Sequence, residues 1–140
     1  MRLPVLPLLP LLLLALPVLE GCKRPGASSP EEAYRAFVQL LQRNDSRKAY
    51  AVLSQGTREA LDARAQAVAQ ATDGGAQEEA ATFFFANVPV PTDVTEVTLL
   101  SEEGDVARVG VVSSAGKSEV RMVREASGWK VDLTESLKQP

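Results

Sequence analysis

Histidine is absent from the 140 residues, and cysteine occurs once, at Cys22. Without an imidazole there is no Ser–His or Cys–His pair and no ordinary general base near neutral pH. With one thiol, an intrachain disulfide and a His/Cys zinc site are both excluded. Hydroxyl, carboxylate and phenol chemistry remain. Ser114-Ala115-Gly116-Lys117 fits the S-x-x-K spacing of penicillin-binding enzymes, in which the serine opens a helix and S-D-N and K-T-G follow elsewhere. Here Ala115-Gly116 reads as a hairpin turn and the companion motifs are missing, so no catalytic residue is expected. Glu102, Glu103 and Asp105 are close enough to collect calcium but lack the alternating oxygen ligands of an EF-hand loop. They read as a solvated turn, and neither a metal nor a cofactor is expected.

The remaining reactive atom is the Cys22 sulfur, and its setting is distinctive. Met1-Arg2 gives a positive start, and Leu3 to Leu19 is uncharged and almost wholly apolar. Seventeen residues at about 1.5 Å each barely approach a bilayer span. Pro4, Pro7, Pro10 and Pro17 interrupt the run, each costing roughly 3 kcal/mol inside a helix. The pattern suits a cleavable secretory leader, residues 1–21, better than a permanent membrane helix. Leu19-Glu20-Gly21-Cys22 resembles the lipobox of bacterial lipoproteins, with Leu19 and Gly21 at the matching positions. Glu20 stands where a small or neutral residue is usual. The resemblance implies cleavage before Cys22 and its acylation, which removes the liability of an unpaired thiol in an exported chain. Each buried acyl methylene contributes about 0.8 kcal/mol, so several chains give durable attachment.

Residues 22–28 then form a tether, and its six residues after Cys22 reach at most about 20 Å. The expected location is the bacterial cell envelope with the membrane as partner. By resemblance to enterobacterial lipoproteins, Lys23 after the cysteine does not signal inner-membrane retention, so the periplasmic face of the outer membrane is favoured.

Removing the leader leaves 119 residues, enough for one domain with one core. Net charge is −3 and no basic stripe is present, which argues against nucleic acid. The domain is expected over 29–135, with 136–140 as a tail.

Ser29-Pro30-Glu31-Glu32 predicts a helix start, with a serine cap, proline in the first turn and a glutamate completing a capping box. Tyr34, Phe37, Val38 and Leu41 follow at i, i+3, i+4 and i+7, one apolar stripe. Arg43-Asn44-Asp45 ends it, and Ser46 is the expected cap of a short helix over about 47–53 that buries Tyr50 and Leu53. Gly56 breaks that helix. Thr57 then caps a third, reaching about Gln70, with a thin apolar face of Leu61, Ala65 and Val68 and an Arg58–Asp62 pair. Thr72 to Gly75 reads as a loop. Glu78 to Ala86 reads as another short helix carrying Phe83, Phe84 and Phe85. Three adjacent phenylalanines cannot share one helical face, so at least one is expected in a cavity, on a partner or toward the membrane.

After Val88-Pro89-Val90-Pro91 the period changes from 3.6 to 2. Strands are expected at about 93–101, 106–113, 117–125 and 129–134. Two-residue turns at Ala115-Gly116 and Ser127-Gly128 set Val111 opposite Val120, Val109 opposite Met122 and Met122 opposite Leu133, and put a Glu125–Lys130 pair on the other face. For the first hairpin, a three-residue loop is needed to set Leu99 opposite Val109 and Val97 opposite Val111.

Helices followed by an antiparallel meander with one apolar face imply an α+β domain, with the N-terminal helices packed on a curved four-stranded antiparallel sheet. The opening helix with Tyr34 and Phe37, the short 46–53 helix and the closing Gly128-Trp129-Lys130-Val131-Asp132-Leu133 strand resemble the nuclear transport factor 2-like, or cystatin-like cone, superfamily. In particular they resemble its small bacterial lipoproteins of unknown function. The resemblance covers about residues 29–134. It implies a cone between the sheet and the first helix, and in ketosteroid isomerase such a pocket uses a carboxylate and a tyrosine. Tyr34, Tyr50 and Asp132 are only loosely analogous here, and no catalytic role carries over. The expected function is a non-catalytic binding module, with Phe83, Phe84, Phe85 and Tyr34 as the binding residues for an envelope protein or a small apolar ligand. The alternative is a small pocket enzyme with carboxylate/tyrosine acid–base chemistry. Members of the superfamily often dimerise through the outer sheet face, which here carries Gly110, Arg121, Val123 and Lys130.

Overall fold

The computed structural model describes residues 29–72 and 80–138. The leader, Cys22, the tether and most of the loop after Thr72 lie outside the described residues. Among the described residues five helices and four strands follow in order: α1 (Pro30–Gln42), α2 (Ser46–Ala51), α3 (Gln55–Ala71), α4 (Ala80–Asn87), β1 (Glu96–Glu103), β2 (Val106–Ser113), β3 (Gly116–Glu125), β4 (Gly128–Asp132) and α5 (Thr134–Lys138). The strands form an open antiparallel sheet in sequence order, so the α+β meander is as expected.

The start of α1 follows its sequence. Ser29 is extended at φ −134° and its hydroxyl accepts the Glu32 N–H at 3.2 Å. Ala33, Tyr34, Phe37 and Val38 are buried against the inner sheet face, where Val97, Ala107, Val109, Val111, Met122, Trp129 and Val131 lie at 6 % exposure or less. Each large apolar side chain contributes roughly 1.5–3 kcal/mol by leaving water.

Helix caps differ from expectation by one to three residues. Asp45, not Ser46, caps α2, because its carboxylate accepts the Lys48 N–H at 3.2 Å and its charge suits the helix start. Asn44 makes the preceding turn at φ +58°, a conformation asparagine tolerates. Ser54, not Thr57, caps α3, so Gly56 lies in the first turn of that helix rather than ending the one before. A methyl at Gly56 would lie 3.2 Å from Thr134 Cγ2, so the glycine serves close approach to α5. Asp62 meets the Tyr50 hydroxyl at 2.9 Å. Tyr50 is accordingly half-buried, whereas Leu53 is fully buried as expected. The expected boundary at residue 135 falls within α5, whose Leu137 is buried.

Sheet register departs in an instructive way. Val109 pairs with Val120, Ala107 with Met122, and Met122 with Val131, two residues from the expected partners. The turns are Ser114-Ala115 and Ala126-Ser127, while Gly116 and Gly128 open the next strands at φ +111° and +120°. Each glycine is needed where the chain leaves the turn, a backbone that L side chains resist. A slip of two keeps every side chain on its expected face, because the strand period is two. Lys130 consequently pairs with Val123 rather than Glu125. In the first hairpin, Leu99–Val109 and Val97–Val111 pair as expected. The extra residue, however, is a bulge at Leu100, and the turn is a tight Gly104-Asp105.

The β4 edge of the sheet is covered, and the β1 edge is interrupted. Leu53 makes a parallel bridge to Val131 beside β4, with Ser54 N–H donating to the Val131 carbonyl at 2.8 Å and Val131 N–H to the Val52 carbonyl at 2.9 Å. On β1, the Leu100 bulge and an Arg35 hydrogen bond to the Val97 carbonyl interrupt the free edge, which discourages edge-to-edge pairing.

Candidate functional site

The residues singled out from sequence do not converge. Tyr34 is 2 % exposed and packs on Phe37 with ring centroids 6.0 Å apart, and burial pushes its phenol up. Phe84 is fully buried. Phe85 packs on it edge-to-face at 4.7 Å and is half-buried, as is Phe83. The helix thus divides the three rings between core and surface.

The carboxylate and phenols are committed elsewhere. Tyr50 donates to Asp62, and desolvation together with that carboxylate pushes its phenol up to about 12. Asp132 lies on the outward side of β4 by register yet is buried, because the start of α3 covers it. Its Oδ1 accepts from the Ser54 hydroxyl at 2.8 Å, the Thr57 hydroxyl at 3.2 Å and the Thr134 hydroxyl at 3.1 Å. Its Oδ2 takes the Arg121 guanidinium. Thr57 Oγ1 in turn accepts the Leu133 N–H at 2.8 Å. Burial pushes the Asp132 carboxyl up, but hydrogen bonds from Ser54 and Thr134 and the Arg121 charge outweigh it and hold it below the ordinary range. A saturated, ionised carboxylate of this kind is not poised to move protons.

This cluster has a structural task. No acidic residue lies in the first turn of α3, so its positive end is compensated from the sheet. Asp132 bonds to the Ser54 and Thr57 hydroxyls, and Glu125 Oε2 accepts the Gln55 N–H at 2.8 Å. Sequence offered no signal for this arrangement, because Ser54 and Asp132 are 78 residues apart.

The hairpin turn at Ser114 is held by Asp93, whose Oδ2 accepts the Ser114 N–H at 3.2 Å. The Ser114 side chain is the leading cause lowering the Asp93 carboxyl, and this backbone bond adds to it. Glu102 meets Arg124 at 3.0 Å, and Arg124 lies 4.6 Å over the Trp129 ring. No cluster of three metal-ligating side chains occurs among the described residues.

Open space lies along the flank of α1. One cleft, of about 350 Å³, separates α1 from the segment entering β1, with Arg35, Gln39 and Gln42 on the helix side and Val94 and Val97 opposite. A second, of about 270 Å³, is walled by Leu41, Phe85, Val88 and Val90, with Asn44 and Ser46 at its rim. Of the expected binding residues, Phe85 lines this second cleft. Arg35 and Gln42 were not anticipated, since nothing local marks their partners 62 and 50 residues away. On the outer sheet face a shallow groove of about 490 Å³ lies beside Leu100 and Gly110. Leu100 folds over Gly110, where an added Cβ would meet its Cδ2 at 3.3 Å. Lys130 reaches the Ala51 carbonyl at 3.1 Å.

No helix of the described residues is long and apolar enough to cross a membrane. Comparison with protein-family models, with curated proteins and with solved structures finds no match to this chain.

Proposed function

We propose that this chain is a lipid-anchored envelope lipoprotein whose domain, a nuclear transport factor 2-like cone, is a non-catalytic binding module. The observation that carries the binding reading is where the space lies. The interval between α1 and the sheet is occupied by Phe37, Met122, Val109 and Val131, each 1 % exposed or less, while the clefts open on the helix flank. Ligand sites are concave and mostly apolar with a few placed polar groups; the cleft beside Phe85 is walled mainly by apolar residues, and the one beside Arg35 mainly by polar ones. The groups a histidine-free acid–base enzyme would use are core, as Tyr34, or saturated, as Asp132. The anchoring reading rests on Leu19-Glu20-Gly21-Cys22 behind an apolar, proline-broken leader. The outer membrane's periplasmic face is the favoured location.

Mass spectrometry of the chain purified from bacterial membranes tests the anchor. The expected mature protein begins at Cys22 and carries acyl chains. Cys22→Ala is expected to remain unprocessed and unacylated. An intact leader with a free Cys22 thiol in the wild type would sink the anchoring reading.

A further inference from the structure

The two clefts are neighbours. Gln42 lines one and Thr92 the other, and the Gln42 side-chain amide donates to the Thr92 carbonyl at 2.6 Å between them. That bond is exposed, so water can take its place at little cost. Opening it joins a polar end to an apolar one.

Arg35 defines the polar end. Its Nη2 donates to the Val97 carbonyl at 2.8 Å, which fixes the guanidinium at the cleft wall and leaves its other N–H groups available. No carboxylate pairs with it among the described residues. A guanidinium fixed in this way and not ion-paired is matched in geometry to a carboxylate. The Glu96 carboxylate, also on this cleft, accepts the Thr98 hydroxyl through Oε1 at 3.2 Å. It disfavours a second negative charge on the ligand, and so a phosphate dianion. At the other end, Leu41, Phe85, Val88 and Val90 are all half-buried, and an apolar tail would complete their burial. From Arg35 to Leu41 the helix rises about 9 Å, within reach of a medium-length acyl chain.

We propose that these clefts together bind a small amphiphilic monocarboxylate, a medium-chain fatty acid, with the carboxylate on Arg35 and the tail against Phe85. This deepens the binding half of the proposed function and is independent of whether Cys22 is acylated.

The test is titration of the full chain in lipid nanodiscs with octanoate labelled with 13C at the carboxyl, empty nanodiscs serving as the blank. Octan-1-ol and acetate are the comparators. Octanoate is expected to bind saturably, and both comparators at least about tenfold more weakly, because each lacks one half of the interaction. Arg35→Gln is expected to weaken octanoate roughly ten- to hundredfold and leave octan-1-ol unchanged. Arg35→Lys, which keeps the charge without the planar fork, is expected to fall between. Gln42→Ala is expected to bind octanoate at least as tightly as wild type. Equal octanoate affinity in wild type and Arg35→Gln would overturn the proposal, as would octan-1-ol matching octanoate or an absence of saturable binding. Any of these outcomes leaves the mass of Cys22, and with it the anchoring reading, untouched.

Discussion

Asp132→Ala is expected to lower the unfolding free energy by about 3 kcal/mol, the lower end of the range for breaking a buried ion pair. The lower end applies because the Arg121 side chain is 32 % exposed and regains water once its partner is gone. The larger part of the loss comes from the hydroxyls. Ser54 and Thr57 are 2 % and 0 % exposed, and each has a single proton to donate. In the native cluster those protons run either from both hydroxyls to Asp132 or from Ser54 through Thr57 to Asp132. Either way the carboxylate is the final acceptor; once it is gone one hydroxyl can still donate to the other at 2.8 Å, but the second is left without an acceptor in a site closed to solvent. At roughly 4–8 °C per kcal/mol for a small domain, the melting temperature should fall by more than about 10 °C. Urea unfolding followed by Trp129 fluorescence measures the change. A loss below about 1 kcal/mol would show that α3 is held to the sheet by other contacts.

The same carboxylate gives the chain a signed pH dependence. Its folded pKa is depressed, so its stabilisation is complete above the unfolded value of about 3.9. That stabilisation is lost as pH falls through the lower folded pKa. Wild-type stability should therefore drop more steeply below about pH 4 than that of Asp132→Asn, by up to about 1.4 kcal/mol per pH unit for one proton. Above about pH 5 the two curves should run parallel. Unfolding curves taken from pH 2 to 6 decide the matter, and parallel curves below pH 4 would mean that Asp132 does not carry the effect.

What was legible in the sequence was what neighbouring residues decide together. The α1 cap was readable because Ser29 and Glu32 are three apart, and the inner sheet face because strand periodicity needs no knowledge of partners. Register was readable only modulo two. A slip of two exchanges valine for valine on the same face, so hydrophobicity cannot tell the registers apart, and the glycines that could have done so were placed inside the turns instead of after them. The Leu100 bulge shows the same ambiguity, since an extra residue in a loop and one in a strand leave Leu99 opposite Val109 alike. Asp132 was illegible for another reason. Alternation put it outside, and only the arrival of Ser54 from 78 residues away turns that outside position into an inside one. The clefts are likewise made by Arg35 with Val97 and Gln42 with Thr92, pairings of residues from opposite halves of the chain.

Phe83, Phe84 and Phe85, identical in type and adjacent in sequence, should separate widely on substitution. Phe84→Ala is expected to cost about 3–5 kcal/mol, as for other large-to-small changes in a closed core, because Phe84 is fully buried in the core. Phe83→Ala should cost under about 1 kcal/mol, since the half-buried ring lies outside the buried core cluster and surface changes away from special contacts are small. Phe85→Ala should fall between, losing the edge-to-face contact with Phe84, worth about 0.5–1.5 kcal/mol beyond area burial. The ordering matters more than any single value. A ring that serves the core and a ring that serves a ligand both read as aromatic bulk in sequence terms, and stability separates them: losing Phe84 should weaken every activity through unfolding, whereas losing Phe85 should weaken octanoate binding beyond what the lost stability explains. Thermal unfolding and octanoate titration of the three variants in parallel supply both axes. Equal destabilisation by all three would contradict the placement of α4 against the core.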